Sequence, residues 1–541
     1  MAKTNSTPAN HSDKRNQPQT GAKYYAFLVA AGIFLSRIAG LIRDRVFAHY
    51  FGNSDAADAF KAAFRIPNFL QNLFGEGVLS ASFIPVYAAL LASENQEEAR
   101  RVAGAIAALL GMLISILVLL GVLTTPYLVD GIAPGFSGAK RELTIQLVRI
   151  LFPGVGLLVI SAWCLGILNS HHRFFLPYAA PVVWNATLIA TLIFFGSHHS
   201  RFSLAAILAW GSVVGSGLQL GVQLPMVLKL LRGLHLSLNF YTQSMKTVVH
   251  NFVPVFLGRG VVQISAYVDA LLASFLPTGA MAALAYAQTL YILPVSLFGM
   301  SVSAAELSLM SGTIGHDQEV FEILRKRLEA GLRHIAFFVM PSAFVFLALG
   351  DVIVGAIYRT GQFTQSDVRY VWGILAGATV GLLSSTFGRL YASVFYALRD
   401  TWTPLYCAIV RVSLTTVLGY LCAIQIPPAI GMNPRWGVVG LTLSAGIASW
   451  VEFTLLRRSL NRRIGPTSLF GGYLVKLGLA ALLAAGIGWG LRIQFGHHYP
   501  IFLAILVLLP FGIVYLSSTM LLGVAEARTF SRKLIKLHKN S

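Results

Sequence analysis

Seven ionisable side chains, Arg37, Arg43, Asp44, Asp58, Lys61, Arg65 and Glu76, lie inside two apolar runs near the amino end, with the turn Gly52-Asn53-Ser54 between the runs. At the centre of a lipid-facing helix each such charge costs roughly 2.5–3.5 kcal/mol on insertion scales. As a group they must face water, protein or a charged substrate. Arginine offers a planar fork of donors matched to phosphate or carboxylate oxygens, and it keeps its proton. Arg37, Arg43 and Arg65 around one cavity therefore suit an anion such as a diphosphate. Asp58 and Glu76 have two readings: they bind a coupling cation, or they hold the arginines in place.

Helical spacing organises these residues. Asp58, Lys61, Arg65, Asn68, Asn72 and Glu76 fall at offsets 0, 3, 7, 10, 14 and 18. At about 100° per residue they lie within roughly 80° of one another. One polar stripe thus runs along an otherwise apolar helix, either lining a wet cavity or forming a dry seam with internal pairs such as Asp58–Lys61. On the preceding run Arg37 and Asp44 share a face, and Arg43 projects about 120° away from Arg37 on a straight helix. Either the helix bends near Gly40 or the cavity wraps around it. An alternative has Arg43, Asp44 and Arg45 snorkelling at the membrane boundary, an escape that Arg37 lacks.

The elements that must position these charges are membrane helices. The 541 residues are 56% hydrophobic and 11% charged, with a mean hydropathy of +0.69. A soluble domain carries about 25% charged residues. Apolar runs of membrane-crossing length recur throughout, so an all-α polytopic membrane protein of about 14 spans is expected. The first two spans fall near 24–49 and 58–91, and the seventh and eighth near 248–275 and 280–310. Breaks are expected at Pro67, Pro85 and Pro294, tolerated where the backbone faces protein or a wet cavity. About 24 Lys and Arg fall in one set of loops against about six in the other, which places both termini in the cytoplasm. That bias also accounts for the net charge of +20 without nucleic acid.

Two weak internal matches suggest a repeat: Phe34-Leu-Ser-Arg37 with Phe256-Leu-Gly-Arg259, and Leu73-Phe74-Gly75 with Leu297-Phe298-Gly299. Parallel repeats of this kind place a substrate site between two halves. The expected organisation is a disordered tail over 1–22, an N-lobe over 23–231, a linker over 232–247 and a C-lobe over 248–456. Two extra spans follow over 457–523, then a basic tail over 524–541. In the second lobe Arg259, one turn from Gln263, and Asp269 either add to the site or pair with each other. Arg411 is expected to be structural. Residues 314–332 read as a short amphipathic surface helix or a basic linker. Cys164, Cys407 and Cys422 all sit in apolar runs and read as small buried residues. No metal-ligand helix, nucleotide loop or catalytic triad is apparent, so neither an enzyme nor a bound cofactor is expected.

Several of these residues carry a family resemblance. Ser36-Arg37-x-x-Gly40-x-x-Arg43-Asp44, Phe51-Gly52, Asp58-Ala-Phe, Phe64-Arg65-Ile-Pro67-Asn68 and Glu76-Gly77 resemble the opening of the MurJ (MviN) lipid II flippases. Gly361-Gln-Phe-Thr364 and Phe395-Tyr-Ala-Leu-Arg399-Asp400-x-x-Thr403-Pro404 are similar to a later region of that family. The resemblance implies a member of the multidrug/oligosaccharidyl-lipid/polysaccharide (MOP, MATE-like) exporter superfamily in the bacterial inner membrane. It implies two six-helix halves and two further helices grooved for a lipid tail. The implied activity is alternating-access transfer of an undecaprenyl-diphosphate-linked peptidoglycan precursor between leaflets, among membrane lipids and with cell-wall synthesis proteins as possible partners. Arg37, Arg43, Asp44, Asp58, Arg65 and Glu76 match family cavity positions. Gln71 stands where the family commonly has Arg, and Gln288 and Thr289 stand where it often has Asp-Arg, a loss that Arg259 is expected to offset. Transport of another polyprenyl-linked glycan or amphipathic solute stays open, as does a non-transporting scaffold for cell-wall enzymes. So does the choice between a coupling cation and the membrane potential.

Overall fold

The computed structural model describes residues 17–74, 79, 82–232, 242–311, 317–468, 471–496 and 499–539; within these, the side chains of 17–27, 251, 253–266, 308, 311, 317 and 533–539 are not described. The described chain is helical, without strands. In order the helices are α1 (Gln17–Phe51), α2 (Asp55–Phe74), α3 (Ile84–Ala92), α4 (Gln96–Leu123), α5 (Thr125–Ile132), α6 (Gly138–Ser170) and α7 (Phe175–Ala179). Then come α8 (Pro181–Phe195), α9 (Arg201–Leu230), α10 (Gln243–Ser274), α11 (Ala280–Pro294), α12 (Ser301–Ser311), α13 (Asp317–Tyr358), α14 (Gln365–Thr379) and α15 (Leu382–Ala397). The last are α16 (Trp402–Tyr420), α17 (Ile426–Ala429), α18 (Gly437–Ile464), α19 (Gly471–Phe495), α20 (Pro500–Leu521) and α21 (Ala525–Lys539).

Local chemistry sets many of these boundaries. Asn95 accepts from the Glu98 N–H at the start of α4, and Ser200 does the same for Ser203 at the start of α9. Thr364 and Asp367 form a reciprocal capping box on α14, satisfying donors that a helix start leaves unpaired. Pro294 has the expected effect: α11 ends there and a π-helical segment, Val295–Met300, follows. Pro67 stays inside α2, whereas Pro85 sits in the first turn of α3.

Among the described residues ten helices are long and apolar enough to cross a membrane, or eleven if α14 and α15, bent by 42°, form one span. The count of 14 includes three more, at α1, α2–α3 and α10. The first two hold the charged residues that lower their apolar character. Two readings change. α1 opens at Gln17, inside the segment expected as a tail. The region 314–332 is no separate surface helix: from Asp317 it forms the first turns of the 42-residue α13, with Leu324 and Leu328 buried.

The chain divides into two compact units. The first comprises Met1–Val46, Ala63–Leu128 and Ile145–Gln263. Its core gathers Phe74, Phe83 and Tyr87 with Trp163, Cys164 and Ile167 of α6 and apolar residues of α4 and α9. Inside it, Ser161 accepts from Gln219 and Gln223 at 3.1 and 2.7 Å, which joins α6 to α9 through a polar seam.

The second unit comprises Phe47–Ala62, Val129–Thr144 and Ile264–Ser541. It therefore holds two segments that the repeat assigned to the first half. Here α18 packs on α14, α15 and α16. Gly381 and Gly446 allow one close approach: a Cβ on Gly381 would sit 2.6 Å from the Gly446 Cα. α19 and α20 pack on α13, where the Tyr515 hydroxyl donates to the Phe337 carbonyl at 2.7 Å.

Candidate functional site

The charged stretch resolves into two networks, one in each unit. In the first unit α1 runs unbroken through Gly40. The Arg43 Nε and Nη2 atoms donate to Asp44 Oδ1 at 3.2 and 2.9 Å, and Nη1 donates to Asn185 Oδ1 at 3.0 Å. The guanidinium also lies over the Trp184 ring, 5.2 Å from its centroid. α8 holds both partners in place, since Asn185 Nδ2 donates to the Pro181 carbonyl and Trp184 Nε1 donates to the Ser212 carbonyl. Asp44 is 5% exposed and Arg43 26% exposed. The acid is thus absorbed in positioning, while about a quarter of the Arg43 side chain stays exposed.

Arg37 lies about two turns earlier on α1, exposed and without a hydrogen bond or ion pair among the described residues. Arg65, Asn68 and Gln71 on α2 are half-buried members of the same unit.

The polar stripe on α2 is divided. Its first members belong to the second unit, where Asp58 is 1% exposed. Lys140 Nζ donates to Asp58 Oδ2 at 2.6 Å, and the backbone N–H groups of Gly279 and Ala282 donate to its two oxygens, each at 2.8 Å. Asp58 thus caps α11, an arrangement in which the carboxylate also meets the positive end of the helix dipole. Lys140 reaches Asp55 as well, at 3.1 Å. Lys61 lies over the rings of Phe47 and Tyr286, at 4.6 and 5.4 Å from their centroids.

The turn between α1 and α2 is fastened in the same way. The Gln362 N–H donates to the His49 carbonyl at 2.8 Å, and Asn53 Nδ2 donates to Asp367 Oδ1 at 3.0 Å. Tyr286 donates its hydroxyl to the Gly52 carbonyl. Gly52 and Gly361 both have positive φ, and a Cβ on either would meet a carbonyl oxygen closer than 3 Å. Beside this latch, in the same unit, Arg141 clasps Asp130 through two hydrogen bonds of 2.7 and 2.9 Å, holding that carboxyl below the usual carboxylate range.

The sequence reading placed Asp58 among cavity residues. Its oxygens instead face backbone amides and an ammonium, because the amino end of α2 is enclosed by the second unit. Lys140, its partner, is not singled out by the sequence; nothing local in Gly138-Ala-Lys140 marks it. Asp269 is half-buried in the second unit. Glu76 and the side chain of Arg259 lie outside the described residues, as does that of Gln263. Arg411, expected to be structural, pairs with Glu452 of α18 at 3.3 Å.

Residues 47–509 match the family described as Lipid II flippase MurJ. The chain is 30% identical over 474 residues to the lipid II flippase MurJ of Burkholderia cenocepacia, covering 86% of this chain and 89% of that one. It is 31% identical over 511 residues to the probable lipid II flippase MurJ of Bdellovibrio bacteriovorus, covering 91% and 94%. A solved structure titled "Lipid II flippase MurJ, inward closed conformation" is similar at a TM-score of 0.75 and 25% identity, over 94% of this chain and 100% of that one. An inward-facing MATE transporter of the MOP superfamily shares the fold at a TM-score of 0.63 and 15% identity, over 81% and 98%.

Proposed function

This chain belongs to the lipid II flippase MurJ family, and from that membership we propose that it carries a polyprenyl-diphosphate-linked peptidoglycan precursor from the inner to the outer leaflet of the bacterial cytoplasmic membrane. The loop charges support a multi-pass topology with both termini in the cytoplasm. The carrier makes and breaks no bond in the lipid, and the driving force is a coupling cation or the membrane potential.

The observation that carries the reading is Arg43. It is fixed by Asp44, Asn185 and Trp184 yet still partly exposed, with Arg37, which has no partner among the described residues, on the same helix. A guanidinium fixed before the ligand arrives loses less freedom on binding a diphosphate than a mobile one. Arg37, Arg43 and Arg65 are assigned to the diphosphate, with Asn68 and Gln71 as neutral partners.

The test is depletion of the native flippase in cells supplied with this chain, reading lipid II accessibility at the outer leaflet. Wild-type protein is expected to restore accessibility. Arg43→Ala, at equal membrane abundance, is expected to lose it. Growth restored without outer-leaflet lipid II would overturn the substrate in favour of another lipid-linked glycan.

A further inference from the structure

A second polar site lies within the second unit, lined by none of the residues assigned to transport. At the carboxyl end of α13, facing the end of α19 and the start of α20, is a cavity of about 450 Å³. Asp351, Arg359, Gln365, Trp489, Arg492 and Leu503 are among the residues lining it. Asp351 is 8% exposed, and its Oδ2 accepts from Arg492 Nη2 at 2.6 Å. Arg492 is steadied over the Trp372 ring, 5.9 Å from its centroid. At this cavity two groups lack a partner among the described residues. Asp351 Oδ1 is buried without a hydrogen-bond donor. The Arg359 side chain is exposed and has no hydrogen bond or ion pair.

A buried carboxylate oxygen without a donor carries a desolvation cost that a ligand donor would relieve. An open guanidinium beside it calls for an oxyanion. The three charged groups sum to one positive charge, −1 from Asp351 and +1 each from Arg359 and Arg492. The complementary ligand thus carries one negative charge and a neutral hydrogen-bond donor. Trp489 and Ile493 are 53% and 68% exposed at the cavity edge, and an apolar chain can lie along them; tryptophan is the residue type that favours the headgroup level of a bilayer.

We propose that this cavity seats the headgroup of an anionic phospholipid bearing hydroxyl donors, of the phosphatidylglycerol type. Its phosphodiester meets Arg359 and Arg492, a headgroup hydroxyl donates to Asp351 Oδ1, and its acyl chains lie outside against Trp489 and Ile493. In the orientation proposed above, the lipid belongs to the outer leaflet. This site does not depend on which substrate the protein moves.

The test measures lipids retained by the purified full chain after exchange into nanodiscs of equal parts phosphatidylglycerol, phosphatidylmethanol and phosphatidylcholine, read by native mass spectrometry. Phosphatidylglycerol is expected to dominate. Phosphatidylmethanol, equal in charge but lacking the hydroxyls, should bind several-fold more weakly. Arg359→Gln should lower phosphatidylglycerol retention about tenfold, the scale of one charge-assisted hydrogen bond. Arg369→Gln, an exposed control outside the cavity, should leave it unchanged. Equal retention of all three lipids, or equal losses in both arginine variants, would overturn the proposal. So would displacement of the lipid by millimolar inorganic phosphate, which would mark a site for a free anion. Asp351→Asn should erase the preference over phosphatidylmethanol; if that variant does not fold, the wild-type comparison of the two lipids still decides.

Discussion

Arg43 and Asp58 are both charged groups within helices of a membrane protein, and their surroundings differ in one respect. Arg43 has a carboxylate, a carboxamide oxygen and an aromatic face, yet 26% of its side chain stays exposed. Asp58 has an ammonium and two backbone amides and is 1% exposed. A guanidinium carries five donors, and three hydrogen bonds leave some of them for a ligand. The Asp58 carboxylate is enclosed by its donors, and a new partner must displace one of them. The pairing therefore separates two states of intramembrane charge: a partly exposed guanidinium, which the proposed function assigns to an anion, and a latch that holds helices together.

The largest effect should come from breaking the latch. Asp58→Ala leaves the Lys140 ammonium and the first amides of α11 without their acceptor. Removing one partner of a buried ion pair typically destabilises by about 3–5 kcal/mol. A large drop in the thermal midpoint of purified protein is expected, with a smaller one for Asp58→Asn, whose amide oxygen still accepts an N–H. Adding Lys140→Met to Asp58→Asn should restore part of the loss, since no buried charge is then stranded. If the two changes are simply additive, the pair is not coupled and the latch is wrongly assigned. Arg43→Ala should shift the midpoint less, because that side chain is partly solvated already, while removing transport.

An intermediate effect is expected at Gly361. Its φ of +52° and the approach of the His49 carbonyl, 2.4 Å from where a Cβ would lie, leave no room for a side chain. Gly361→Ala should cost about 1–3 kcal/mol and detach the turn at Gly52, read as faster proteolysis between α1 and α2. Gly478→Ala, with open space around it, is the matching control. Similar proteolysis of both variants would show that the turn is not held by this contact.

How much of this was legible beforehand differs between the two networks. Arg37, Arg43 and Asp44 stand out because charge inside an apolar run is costly wherever the chain folds, so their importance follows from local sequence. The helical fold and the break at Pro294 are legible for the same reason: period, length and proline chemistry are local. The separation of Asp58 from Asn68 and Asn72 was not legible. Helical projection shows which residues share a face, and it is silent on where along the axis that face passes from protein into open space. Lys140 lies 82 residues from Asp58, and only tertiary packing joins them. The cavity at Asp351 and Arg492 was missed for that reason too, since each residue lies near a helix end where interfacial polarity is an ordinary explanation.

Asp400 offers the smallest effect and the cleanest control, because it has nearly the same donors as Asp58 in a loop at the membrane edge. The N–H groups of Trp402 and Thr403 donate to its Oδ1, each at 3.0 Å, and the Thr403 hydroxyl and Arg463 donate to its Oδ2 at 2.7 and 2.6 Å. Burial pushes this carboxyl upward, but the Thr403 N–H and hydroxyl together with Arg463 outweigh it and hold it below its ordinary value. A carboxyl lowered by folding stabilises fully above its unfolded value of about 3.9, and that contribution fades as pH falls through the folded value. The midpoint difference between wild type and Asp400→Asn should therefore be modest at pH 7 and shrink as pH falls below about 4. It should stay well below the Asp58→Asn difference at pH 7, since water can replace donors around Asp400 and cannot reach Asp58. Equal losses in the two variants would mean that the donor set alone, and not its exclusion from water, makes Asp58 a latch.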